Sequence, residues 1–389
     1  MVKLSLYACA VAAMAMVSTA APVENTAPVV RMDLQRNPDF HANATYAVIK
    51  AQRKYAKYTI QTKSIKPGSV SMTDYLYDVE YYGVVKVGTP PQSLKLDFDT
   101  GSSDMWFAST LCSTCSSTQT KFDPSKSSTY QQDGRPWSIS YGDGSTASGV
   151  IGYDVVDLGG LKINKQAIEL AKKESAAFQS DPIDGLLGLG FDSIAAYSDI
   201  KTPMSNLISQ GVVSQPVFGV FLGKQSQGGG GEYVFGGYNE AHIGGALTTV
   251  SVDKSQGFWG ITVDGLSSGN RKVAGAFHGI LDTGTTLMIF TDSMARQVAS
   301  LYGARDNRDG TFTISCDTAS LPPLVLTIGG TKFTIPSSDL IYAKFQGQCI
   351  AGFSYAGLPF AILGDVFLKN HYVIFNQKVP NVQIAPVKY

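Results

Sequence analysis

Short apolar runs of period two dominate the chain from residue 68 onward, broken every few positions by Gly, Pro, Asn or Asp. Val85 and Val87 alternate with neighbours up to Gly88-Thr89-Pro90-Pro91, and Leu94, Leu96 and Phe98 then alternate again. This predicts a hairpin whose second strand runs directly into Asp99-Thr100-Gly101. Helical spacing is rare. Pro203 just inside the start and Gly211 just past the end frame a short helix carrying Met204, Leu207 and Ile208. Another is predicted from Thr291 through Met294, Val298 and Leu301 to Gly303. Residues 228–231 are all glycine but lack the Lys of a phosphate-binding loop and lie between strand-like runs, as a hairpin loop would. Before residue 68 the texture differs: residues 44–58 hold helix formers, no Gly or Pro, and basic side chains on several faces.

The balance of charge separates the same two regions. Residues 21–66 carry eight Lys/Arg against three Asp/Glu, whereas from residue 67 onward 22 Lys/Arg face 28 Asp/Glu. A nucleic-acid-binding face should belong to the folded body, so a basic amino-terminal segment on an acidic body fits an intramolecular lid better. The first twenty residues add a compartment: Lys3, an apolar run over residues 4–17 and the ending Ser18-Thr19-Ala20 form a secretory leader. No later stretch is apolar for long enough to span a bilayer. Cys9 leaves with the leader, and Cys112, Cys115, Cys316 and Cys349 remain. Their spacing, two close in sequence and two far away, predicts Cys112–Cys115 and Cys316–Cys349 disulfides. Cys112-Ser113-Thr114-Cys115 has no second close pair to complete a zinc site, so no metal and no cofactor is expected. The only N-x-S/T acceptor, Asn43-Ala44-Thr45, lies in the basic segment.

An internal repeat is the most informative feature. Leu96-Asp97-Phe98-Asp99-Thr100-Gly101-Ser102 is echoed by Gly279-Ile280-Leu281-Asp282-Thr283-Gly284-Thr285. Each copy is followed at similar distance by an apolar-apolar-Gly element, Leu186-Leu187-Gly188 and Ile362-Leu363-Gly364. Two halves that each present one Asp on a tight turn imply a pseudo-twofold molecule with its chemistry at the seam. Two carboxyls held close cannot both ionise, so one proton is shared. The ionised member can then accept a proton from water while the protonated member polarises a carbonyl. Gly101 and Gly284 let the backbone turn beneath each carboxyl. Thr100 and Thr283 can bond across the axis, and Ser102 and Thr285 can hold the outer carboxylate oxygens. Asp97 shares strand parity with Asp99 but lacks the Thr-Gly turn, which leaves it a structural role. The histidines His41, His242, His278 and His371 form no H-E-x-x-H pattern, and no G-x-S-x-G elbow occurs.

The stretches Asp99-Thr100-Gly101-Ser102-Ser103, Tyr141-Gly142-Asp143-Gly144-Ser145, residues 184–190 and Asp282-Thr283-Gly284-Thr285-Thr286 closely resemble the pepsin family of aspartic proteases. The resemblance covers residues 68–389 and implies an all-β, bilobal fold of antiparallel sheets with few short helices and a long cleft. It implies an endopeptidase that cuts polypeptides with a water held between Asp99 and Asp282. Tyr141 would sit with Gly142 and Asp143 on a hairpin flap, its hydroxyl steadied by Trp106, and Tyr141, Phe178 and Leu186 would line an apolar subsite. That lining would favour large hydrophobic side chains, and the Asp143 carboxylate would let a lysine enter. The expected organisation is a leader over residues 1–20, a basic inhibitory propeptide over 21–67, one lobe over 68–240 and the other over 241–389. The propeptide would be the chain's own intramolecular inhibitor, with Lys54 or Lys57 as the blocking residue. The product would be a secreted monomer that binds no nucleic acid and no membrane. A pepsin-like protein that binds without cutting should have lost an Asp, a motif Gly or the flap Tyr, and all are retained here.

Overall fold

The computed structural model describes residues 29–36, 42–58, 81–140, 146–175, 183–345 and 347–389. The leader, Tyr141, Gly142, Asp143 and Phe178 lie outside the described residues. What is described is mostly strand, as the alternating pattern predicts. The Val85–Phe98 pattern folds into β2 (Tyr81–Val87) and β3 (Gln92–Asp99), paired antiparallel with Val85 opposite Leu94. β4 (Met105–Ala108), β5 (Gln131–Ser140), β6 (Thr146–Leu158), β7 (Leu161–Glu174) and β8 (Gly185–Gly188) complete the first half.

The sequence repeat reappears as a repeat of topology. β3 runs parallel to β8, bringing Asp99 opposite Gly188, and β8 runs antiparallel to β4. In the second half the strand Phe277–Leu281 runs parallel to Ala361–Leu363, which is antiparallel to Met288–Phe290. Each half thus threads an apolar-apolar-Gly strand beside its Asp-bearing strand. Gly is required at Gly188 because a Cβ there would lie 2.5 Å from the Ser103 backbone. Gly364 has the same constraint against the Thr285 carbonyl.

A strand from the basic segment, β1 (Val30–Arg36), lies in the middle of a sheet of thirteen described strands. It pairs along β10 (Gly231–Phe235) through Val30 to Leu34 and meets β2 at Gln35 and Arg36. β10 pairs with β9 (Val217–Leu222), and the sheet continues into His371–Asn376. The seam between the halves is apolar: Trp259 is fully buried against Phe191, Phe218 and Phe375, and its Nε1 donates to the Leu189 carbonyl at 2.9 Å.

Helices are short. α1 (Ala44–Lys54) buries Ala44, Ala47, Val48 and Ala51, a 3.6-residue stripe, and Asn43 caps it by accepting from the Tyr46 amide at 2.9 Å. α2 (Pro203–Ser209) and α3 (Asp292–Leu301) lie where the sequence predicts them, and α4 (Asp365–Leu368) follows Gly364. Both disulfides are formed, Cys112 with Cys115 and Cys316 with Cys349.

Candidate active site

Asp99 ends β3 and Asp282 follows the matching strand of the other half, so the two turns meet at the seam. Both carboxyls are buried, 2 % and 0 % exposed. The turns are locked by a crossed pair of bonds: the Thr100 amide donates to Thr283 Oγ1 and the Thr283 amide to Thr100 Oγ1, both at 3.0 Å. Each hydroxyl then donates onward, Thr100 to the Leu281 carbonyl at 2.9 Å and Thr283 to the Phe98 carbonyl at 2.6 Å. Every donor in this buried frame is satisfied by the opposite half, which fixes the separation of the two aspartates.

Within each turn the carboxylate is held twice. The Gly101 amide donates to Asp99 Oδ1 at 2.8 Å and Ser102 Oγ to Oδ2 at 2.6 Å. The Gly284 amide donates to Asp282 Oδ1 at 3.0 Å, and Thr285 Oγ1 donates to Oδ2. The glycines have a steric reason as well, since a Cβ on Gly101 would sit 2.5 Å from Asp282 Oδ1. Thr100, Gly101, Ser102, Thr283, Gly284 and Thr285 thus converge on the two carboxyls.

Between the inner oxygens stands an ammonium. Lys54 Nζ lies 2.6 Å from Asp99 Oδ1 and 2.8 Å from Asp282 Oδ1, with its side chain 8 % exposed. Burial alone would pull this ammonium down, but the charges of Asp282 and Asp99 outweigh it and hold the lysine above its ordinary value. Burial pushes Asp99 up, and with the neighbouring Asp282 charge it prevails over the Lys54 ammonium. Burial acts on Asp282 as well, yet the Lys54 charge and hydrogen bond, with Thr285 and Tyr55, hold it below the usual carboxylate range. One cation therefore faces two carboxyls of unequal proton affinity. With the ammonium gone, the pair could share one proton and activate a water in the same space.

Sequence reasoning left Lys54 and Lys57 open, and the structure distinguishes them. α1 ends at Lys54, and a single 3₁₀ turn (Ala56–Tyr58) carries Lys57 away, its Nζ 5.0 Å above the Tyr58 ring. The basic last turn also complements the negative end of the helix dipole. Sequence reasoning missed Tyr55, fully buried, whose hydroxyl donates to Asp282 Oδ2 at 2.6 Å. Its ring meets Phe258 and Phe360 edge-on at 5.2 and 5.6 Å, and Tyr58 packs on the same two rings. The signal available was an aromatic directly after a basic residue, at the end of a helix whose apolar stripe runs toward it.

The remaining expected residues are placed as follows. Asp97 points to α1, with Lys50 Nζ 4.0 Å from its Oδ2, and so stands apart from the pair. Trp106 on β4 is buried with Leu186, its partner on β8, and its ring lies 5.9 Å from that of Trp137, the planes tilted by 36°. Trp137 lies on β5, four residues before Tyr141.

Comparison with known proteins agrees with this geometry. Residues 80–387 match the family model described as eukaryotic aspartyl protease. The chain is 58 % identical to syncephapepsin of Syncephalastrum racemosum over 99 % of its own length and 100 % of that protein. It is 57 % identical to rhizopuspepsin of Rhizopus chinensis, covering 97 % of each. Against dog pepsin A it is 38 % identical over 82 % of this chain and 83 % of the other. With the paired Asp-Thr-Gly turns, the mostly β fold and relatives of this identity over nearly the whole length, the chain belongs to the eukaryotic aspartyl proteases, as a pepsin-like enzyme.

Proposed function

We propose that the chain is made as a secreted, self-activating zymogen of an acid endopeptidase, in which Asp99 and Asp282 activate the attacking water and Lys54 holds its place until acid releases it. The observation that carries this reading is the Lys54 ammonium bonded to both inner carboxylate oxygens, at 2.6 and 2.8 Å. An ammonium there both fills the water site and neutralises the pair, so a chain in this state cannot cut. The blocking segment is held at several further points: β1 in the sheet, Thr45 Oγ1 donating to Asp309 Oδ2 at 2.7 Å, and Tyr55 on Asp282. The leader over residues 1–20 supports secretion, and the propeptide over 21–67 with lobes over 68–240 and 241–389 remains the organisation proposed.

On substrates, the reading rests on the sequence. Large hydrophobic side chains on the amino side of the cut are favoured by burial worth about 1.5–3 kcal/mol each. Asp143 supplies a carboxylate for a lysine ammonium whose stem lies along the apolar wall.

One experiment tests the whole reading: acidify the purified full-length chain, sequence the new amino terminus, and map cleavage sites in a denatured protein substrate. The expected result is conversion by acid alone, a new terminus within residues 64–70, and cuts after Phe, Leu and Lys. Ready conversion at neutral pH, or none in acid, contradicts it.

A further inference from the structure

The β1–β10 pairing contains a charge problem. Asp33 stands directly opposite Glu232, so two acids share one face of the sheet. Glu232 is the buried one, 3 % exposed. Its charge is met by Arg31, two residues along β1, whose Nε lies 2.8 Å from Glu232 Oε2 while the rest of the side chain reaches in from solvent. On the other side, Asn239 Nδ2 donates to Glu232 Oε1 at 2.7 Å, and His242 Nε2 stands 3.8 Å from that same oxygen. Two basic side chains therefore flank one buried carboxylate. Arg31 belongs to the segment that must leave, whereas His242 belongs to the body.

The imidazole is held with one nitrogen facing the carboxylate. Its ring lies flat on Phe221, centroids 3.8 Å apart and planes 8° from parallel. Nδ1 sits 3.1 Å from the Lys388 carbonyl, and a carbonyl only accepts, so Nδ1 carries the ring hydrogen. The neutral ring then turns a bare Nε2 lone pair toward the carboxylate, and no bond can form. A second proton turns the same atom into a donor aimed at Glu232. The other groups around the site are Asp33 on β1, the Tyr372 hydroxyl that accepts from the Asn239 amide at 2.8 Å, and Tyr389, edge-on to Phe221 at 5.7 Å.

We propose that His242 is an acid-operated replacement for Arg31: it takes over Glu232 when β1 leaves the sheet, and so makes departure of the propeptide strand depend on acid at a point remote from Asp99 and Asp282. The inference rests on the zymogen reading. Departure of Arg31 with a neutral His242 leaves the Glu232 carboxylate without a counter-charge, which opposes release. Departure with a protonated His242 leaves an ion pair in place. An imidazolium donating from Nε2 supplies the counter-charge that the departing guanidinium takes away, so acid favours release.

The test is the pH dependence of conversion of the full-length chain, wild type against His242→Gln and His242→Arg. The neutral His242→Gln chain should convert at lower pH than wild type, roughly fivefold more slowly in mild acid. The permanently charged His242→Arg chain should convert at higher pH. Arg31→Gln, a second variant remote from the ring packing, should also convert at higher pH. Unmoved profiles, or the two His242 variants shifting in the same direction as a packing defect would make them, overturn the inference while leaving the zymogen reading intact. A wild-type chain that never converts in acid overturns both.

Discussion

The Asp99 turn and the Asp282 turn carry nearly the same sequence, and they do not behave alike. Each carboxylate receives one glycine amide, one hydroxyl three residues on and one share of Lys54. Only Asp282 also receives the Tyr55 hydroxyl. Asp99 is raised, chiefly by burial, and Asp282 is lowered because Lys54, Thr285 and Tyr55 together outweigh its burial. The repeat supplies a symmetric frame, and a single non-repeated segment makes the two halves chemically unequal. Asp282 accordingly has one more bond than Asp99 to the segment that carries Lys54 and Tyr55.

Removing the shared cation should have the largest effect. Lys54→Met leaves two buried carboxyls facing each other, and loss of one partner from a buried pair costs about 3–5 kcal/mol. On the proposed zymogen reading, the segment that carries Lys54 should then be displaced at a pH where the wild-type chain stays intact, which gel analysis of conversion against pH would show. A Lys54→Met profile identical to wild type would remove Lys54 from the account.

Tyr55→Phe should have a smaller effect, because the Tyr55 hydroxyl touches Asp282 alone. The lost bond to a charged group is worth about 1.5–3 kcal/mol. A depressed carboxyl contributes stability above its ordinary range and loses it as pH falls through the depressed value. With Tyr55 gone Asp282 is less depressed, so the lock should open at higher pH than in wild type, though by less than in Lys54→Met. Conversion at lower pH would reverse the sign and contradict the assignment.

Much of this was legible because local signals and global fold agree. The hairpin into Asp99, the two short helices, the disulfide pairs and both Asp-Thr-Gly turns follow from periodicity, turn chemistry and repetition. The crossed Thr100 and Thr283 bonds were legible for the same reason, since a twofold frame places like residues opposite each other. The segment that carries β1 and α1 was harder to read. β1 has the alternation of a strand, with Met32 and Leu34 buried and Arg31 and Asp33 exposed, but its partner β10 lies some two hundred residues away and no local pattern names it. Lys54 and Lys57 would be close neighbours on one continuous helix, and the end of α1 at Lys54 is what separates them. Tyr55 was hidden by its own size, because a buried aromatic usually means packing. The roles expected for Tyr141, Asp143 and Phe178 concern positions outside the described residues.

On the proposed mechanism the two matched aspartates perform the cut together. The most direct measurement is turnover of a peptide substrate at acid pH by Asp99→Asn and Asp282→Asn chains freed of residues 21–67 with an added protease. Each substitution keeps shape and removes the shared proton, so kcat should fall by roughly four orders of magnitude in both, with the thermal transition little changed. Near-normal turnover by either folded variant would contradict the account.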